Sequence, residues 1–151
     1  MKNKKVKYRD GDLFVIELPN QVKILGLIAR RMGKLLMGYF WKYDFEFNSD
    51  TILLKNNVVL ITRFSGLGFE IGDWEIIKKY SHWSFDDWSF PEFKNTGVAN
   101  YYSVSAYDDK FNFISDRRIT FEELDNYYSD STHGYVSLEN KLLEITSWIS
   151  F

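Results

Sequence analysis

Lys7-Tyr8-Arg9-Asp10-Gly11-Asp12-Leu13-Phe14-Val15-Ile16-Glu17-Leu18-Pro19 is the stretch whose reading decides the fold. Gly11 lies between two aspartates, a turn composition in which glycine takes positive φ and Asp bonds its own backbone. Leu13 to Leu18 follow as an almost continuous apolar run with β-branched and aromatic members. Bounded by turn signals, such a run predicts a strand buried on both faces. Pro19-Asn20 ends it, since proline cannot donate to a ladder and Asn favours turns. The reading is a turn feeding a central strand, and it states no chemistry.

Working outward, residues 21–31 alternate and then become apolar, which predicts a second strand in which Gly26 marks a bulge or a close backbone approach. A turn at Met32-Gly33 and a third strand over residues 34–43 complete an antiparallel meander. Asp50-Thr51 is read as the cap of a helical turn over residues 52–55. Residues 58–64 form a β-branched strand and residues 65–68 a loop, and residues 75–80 suit an edge strand with lysines facing water. Residues 98–107 read as one strand, paired through the turn Asp108-Asp109-Lys110 with residues 111–115.

Thr120 and Glu123 have the capping-box spacing, with a helix expected near 120–128. Leu138, Leu142 and Ile145 fall on one stripe of a second helix near 137–146. Trp148, Ile149 and Phe151 suggest a terminus docked on the sheet. The expected fold is α+β, mainly β, as one domain over residues 1–151. It would be a curved antiparallel sheet or partly closed barrel with one or two C-terminal helices packed on it.

Aromatic residues make up 19% of the chain, hydrophobic residues 45% and charged residues 26%, an ordinary composition for a soluble globular protein apart from the rings. No apolar run approaches the ~20 residues of a membrane helix. Met1-Lys2-Asn3-Lys4-Lys5 is basic like a signal-peptide start, but no h-region follows. With no cysteine there is no disulfide framework, thiol nucleophile or thiolate metal site, and the cytoplasm is the default compartment. The net charge of −2 is uneven, at +5 over residues 1–80 and −7 over residues 81–151. An acidic half of this kind steers basic partners.

Catalytic signals are weak. His82 and His133 have no second histidine at ligand spacing, so no metal site is expected. No Gly-x-Ser-x-Gly elbow is present, and Gly66-Leu67-Gly68 is too short to cradle a phosphate. Asp86-Asp87 and Glu122-Glu123 are adjacent pairs whose side chains diverge on any regular element. No enzyme activity and no cofactor are expected. The basic cluster Lys2, Lys4, Lys5, Lys7 and Arg9 belongs to no nucleic-acid reading motif.

Residues 81–100 have no clean period. Trp83, Phe85, Trp88 and Phe90 put four rings within eight residues, either as a loop packed over the core or as a recognition loop.

Tyr8, the run from Gly11-Asp12 to Leu18-Pro19, Gly26, and Leu36-Met37-Gly38-Tyr39-Phe40 together resemble the immunity protein 26 family. Gly72-Asp73-Trp74-Glu75-Ile76-Ile77 and Pro91-Glu92-Phe93-Lys94 extend the resemblance over residues 6–94. Asn20-Gln21-Val22-Lys23 departs from the Gly-Lys or Gly-Ser that members often carry there. The resemblance implies a bacterial immunity protein of a polymorphic toxin system, which binds a cognate toxin domain in the cytoplasm and needs no cofactor. It carries over no catalytic or contact residues. Nucleic acid, membrane and an obligatory small molecule are not expected as partners.

Ring density coincides with negative charge between residues 83 and 93. Trp83, Phe85, Asp86, Asp87, Trp88 and Glu92 are therefore the candidate residues for binding a toxin such as a nuclease. The alternative is a small-ligand module in which Tyr39, Phe40 and Trp41 line a pocket of a partly closed barrel, stacking on carbohydrate or nucleotide.

Overall fold

The computed structural model describes residues 7–149; the side chains of Val98, Trp148 and Ile149 stand outside that description, as do the basic residues 1–6 and Ser150 and Phe151. In chain order the strands are β1 (Asp12–Glu17), β2 (Lys23–Met32), β3 (Leu35–Lys42), β4 (Leu60–Ser65) and β5 (Glu75–Lys79). They continue as β6 (Phe93–Val98), β7 (Tyr101–Tyr107), β8 (Phe113–Ile119), β9 (Tyr128–Ser129) and β10 (Thr132–His133). Two helices, α1 (Leu67–Glu70) and α2 (Tyr135–Ile149), complete the regular structure with two short 3-10 turns. None of the described helices is long and apolar enough to cross a membrane.

The protein is mainly β, with two open sheets and a C-terminal helix. One sheet has the order β10-β4-β3-β2-β1-β5 and the other β8-β7-β6-β9. The meander expected from the opening stretch is present, since β1 to β4 pair in succession, each antiparallel to the last. β1 is paired on both sides but lies next to the edge strand β5, so β2 and β3 are the central strands. Gly11 stands at φ +88° and ties the entry of β1 to both neighbours: its N–H donates to Ile28 O at 2.7 Å and its carbonyl accepts from Tyr80 N at 2.8 Å.

Alternation along these strands builds two cores, one on each face of the large sheet. Phe14, Ile16, Ile24, Ile28, Phe40 and Phe64 pack against Phe69 of α1, Trp74, and Leu138 and Leu142 of α2. Leu13, Leu25, Leu27, Tyr39 and Trp41 pack on the opposite face against Tyr80, Trp88 and Phe93, under the segment after β5 and the second sheet. Gly26 is a close approach rather than the bulge, because the Phe14 ring lies over it and an added Cβ would fall 2.3 Å from Phe14 Cζ.

Several sequence expectations are corrected. Residues 121–126 form a 3-10 turn rather than an α-helix, and the chain then extends to pair β9 with β6. The capping box is present, with Glu123 accepting from both the N–H and the hydroxyl of Thr120 at 3.1 Å. The second helix is longer than expected, from Tyr135 to Ile149. No helical turn covers residues 52–55: Thr51 Oγ1 accepts from Asn48 N at 3.0 Å, closing a turn behind it, and the 3-10 turn is Lys55–Asn57. Leu67 and Gly68, read as part of a loop over residues 65–68, open one helical turn, Leu67–Glu70, that seats Phe69. The strand expected over residues 98–107 is present as β7 from Tyr101, while Val98 ends β6 and Asn100 at φ +61° turns β6 into β7.

Substituting Gly26→Ala should cost about 1–3 kcal/mol in urea unfolding, because the Phe14 ring must leave its rotamer to admit a methyl group. Gly97→Ala, where an added Cβ meets nothing within 4 Å, should stay within about 0.5 kcal/mol of the parent protein.

Candidate functional site

The candidate loop is built on a buried arginine that the sequence did not single out. In the β2–β3 ladder Ile28 pairs with Gly38 and Arg30 with Met37, leaving Ala29 as an extra residue. A bulge of this kind re-aims the following side chain, and here it delivers Arg30, 2% exposed, beneath residues 85–88. Arg30 Nη1 donates to Ala29 O at 2.9 Å and to Trp88 O at 3.1 Å, and Nη2 donates to Phe85 O at 2.5 Å. Nε reaches the exposed Asp109 carboxylate at 2.9 Å. The guanidinium also lies over the Phe85 ring, 3.6 Å from its centroid.

Further ties hold the same base. The Tyr39 hydroxyl donates to Ser89 O at 2.8 Å, and burial pushes its pKa up to about 12 against the pull of Arg30, so it stays a proton donor. Trp88, 4% exposed, packs edge-to-face on Tyr39 at 5.0 Å, Trp41 at 5.8 Å and Tyr80 at 6.0 Å. Lys55 lies 5.1 Å from the Trp88 ring centroid and donates to Asp87 O.

The six candidate residues therefore separate into three groups. Phe85 (44% exposed), Asp86 and Asp87 stand together at the loop tip and face solvent. Trp88 belongs to the core and anchors the loop, while Trp83 is half-buried against Gly11 with Lys79 over its ring. Glu92 lies apart, its carboxylate held in two bonds by Arg117 at 3.2 and 2.9 Å.

Beside the tip lies a surface built on residues 52–54, a stretch the sequence reading assigned to a helical turn. Ile52 and Leu54 are exposed on either side of the buried Leu53, whose N–H donates to Tyr80 Oη at 2.9 Å. They form a ridge between two clefts. One, of about 330 Å³, is lined by Trp41, Asp44, Phe45 and Ile52; the other, of about 520 Å³, by Leu54, Tyr80, His82 and Asp87. Asp44, Glu46 and Asp50 are exposed on the same connecting segment. Asp44 and Lys42 border the first cleft and Asp87 and Lys55 the second, so charges of both signs flank the apolar ridge.

Tyr39, Phe40 and Trp41 do not line one pocket together, although Trp41 borders the cleft of about 330 Å³. All three rings are buried, and alternation sends Phe40 into the core under the helices while Tyr39 and Trp41 enter the other. Among the described residues, no group of three or more histidine, aspartate and glutamate side chains converges to hold a metal. His133 lies between two hydroxyls, with Nδ1 2.7 Å from Ser137 Oγ and Nε2 3.2 Å from Ser131 Oγ. It meets a second serine where an acid–base relay would place a carboxylate.

Compared with known proteins, the chain matches no protein-family model, no curated protein and no solved structure.

Arg30→Met should cost about 2–4 kcal/mol in denaturant unfolding and speed amide exchange over residues 85–89, because two loop carbonyls lose their buried donor. Asp109→Ala should cost less than about 1 kcal/mol, since that carboxylate is half exposed.

Burial, and then the charge of Lys141, hold the His133 pKa below its ordinary 6.5. The unfolded chain therefore takes up the proton first, and stability should fall as pH drops through about 6.5. The thermal midpoint should decrease between about pH 7.5 and pH 5.5, with a shallower slope in His133→Asn.

Proposed function

We propose that this chain is an immunity protein, which binds and neutralises a cognate bacterial toxin domain in the cytoplasm. The observation that carries the reading is the loop itself: Phe85, Asp86 and Asp87 are held out to solvent on a base fixed by Arg30, Tyr39 and Trp88. Interfaces draw most of their energy from a few rigidly presented apolar or aromatic anchors. Phe85, Ile52 and Leu54 are such anchors, and the surrounding aspartates fit a basic partner such as a nuclease. The family resemblance supports the same reading.

The direct test is capture of toxin domains encoded beside the gene by the tagged protein, followed by co-expression. A stable complex and restored growth are the expected outcome. Failure with every neighbouring toxin would remove the reading. Within a complex, Asp86→Asn with Asp87→Asn should slow association about tenfold at low salt and less at high salt. Leu54→Ser should act on dissociation instead, costing about 1–2 kcal/mol of affinity.

A further inference from the structure

The second sheet carries a groove with a composition that core packing does not explain. Register places Asn95 opposite Ser103, Phe93 opposite Ser105, Asp116 opposite Ser105 and Arg118 opposite Ser103. Directly opposed residues share a face, so Asn95, Ser103, Ser105, Asp116 and Arg118 lie on the same face as the core residue Phe93. Alternation adds Tyr101 and Tyr107 to that face, and Phe113 joins it opposite Tyr107 because Ile114 is bulged out of the ladder. A face turned towards the large sheet should be apolar. Here it is apolar only at its Phe93 and Tyr107 end.

Beyond Phe93 the floor is polar and built. Ser103 and Ser105 are 3% and 4% exposed, and the Asn95 amide donates to both hydroxyl oxygens, at 3.3 and 2.7 Å. That pattern uses the nitrogen of Asn95 and one lone pair of each serine. It leaves the two hydroxyl protons as donors and Asn95 Oδ1 as an acceptor. Asp116 is exposed along one side. Exposed rings stand at both ends: Tyr101, with the Arg118 guanidinium 5.1 Å from its centroid, and Phe113, 6.1 Å from Tyr107. From Tyr101 to Tyr107 the groove runs about 20 Å along β7, with a volume of about 380 Å³. That lies within the ~300–1,000 Å³ of ordinary ligand sites.

We infer that this groove binds a short neutral saccharide. Sugar rings present flat C–H faces that pack on Tyr and Phe, and hydroxyls that both donate and accept. The floor supplies both roles at adjacent positions, and the Asp116 carboxylate can take two neighbouring hydroxyls. A nucleotide suits the groove less well, because Asp116 opposes a phosphate while Arg118 already rests on Tyr101. The site lies on a different sheet from the acidic tip and does not depend on the toxin-binding reading.

Saturation-transfer NMR on the full chain tests this with lactose, cellobiose and N,N′-diacetylchitobiose, and with AMP as the anionic aromatic probe. The expected result is transfer to at least one disaccharide. Tyr101→Ala and Asp116→Asn should each weaken binding about tenfold or more, with thermal midpoints unchanged because both side chains are exposed. No transfer to any of the three disaccharides would overturn the inference. Binding that both variants leave intact, or AMP displacing the sugar, would overturn it as well.

Discussion

A buried guanidinium holds the exposed acidic loop at residues 85–87 in place. Arg30 takes three backbone carbonyls as acceptors, two of them in residues 85–88. Hydrogen bonds from a charged donor contribute about 1.5–3 kcal/mol each, whereas a pair with a half-exposed carboxylate contributes at most about 1 kcal/mol. The carbonyls, not Asp109, therefore decide where the guanidinium sits. The loop in turn depends on them, because a carbonyl buried beside Trp88 and Tyr39 has no water to replace a lost donor. Arg30, which the extra residue in β2 aims at the loop, thus ties β2 to the base of the tip, and the Tyr39 hydroxyl ties β3 to the same base at Ser89 O.

The second sheet is fixed by an equally local device. Residues 128–133 pair first with β6 and then with β4, so one extended segment is an edge strand of both sheets in turn. Between the two pairings Asp130 accepts from Arg63 and from the Tyr107 hydroxyl, the latter at 2.7 Å. Tyr128 adds a hydrogen bond to Val58 O at 3.1 Å. Arg63 and Asp130 are both largely buried, and ions so placed tolerate little displacement, because either one alone would be costly to bury. The seam closes one end of the space between the sheets around Phe93 and Tyr107. Further along β7 the face stays open, and serine, asparagine and aspartate replace the aliphatics.

Local pattern was enough to read β1 to β5 of the large sheet, but not the two-residue β10 that pairs with β4. The apolar run after Gly11, the glycine in β2, the β-branching of β4 and the lysines of β5 each record burial or pairing next to them in the chain. The capping box at Thr120 was legible for the same reason. What followed it was not: whether residues 121–126 wind as α or 3-10 depends on β9 reaching β6, where Tyr128 pairs with Phe93. β6 itself, Phe-Lys-Asn-Thr-Gly-Val, shows no clean alternation because its inward positions include Asn95. The candidate loop was legible as a concentration of rings and acids, but not its division into anchor and tip. Arg30 was hidden for a different reason. At the end of an apolar run, Arg30-Arg31 reads as a strand leaving the core, and only the unpaired Ala29 turns one of the two inward.

Aromatic abundance therefore has three physical meanings in one chain, and burial and partners tell them apart. Phe14, Phe40, Phe64, Phe69 and Trp74 meet each other in the core under the helices and carry stability. Tyr39 and Trp88 are buried as well, yet each also takes part in holding the loop backbone, the one through its hydroxyl and the other through its carbonyl. Phe85, Tyr101 and Phe113 keep ring surface in water while a neighbouring cation or ring fixes their position. A ring held still but left wet gains little for the fold, since its apolar area remains hydrated. The same immobility reduces the entropy lost when a ligand or partner covers it. Rings of this third kind carry the argument for recognition, and they stand at the acidic tip and in the groove of the second sheet.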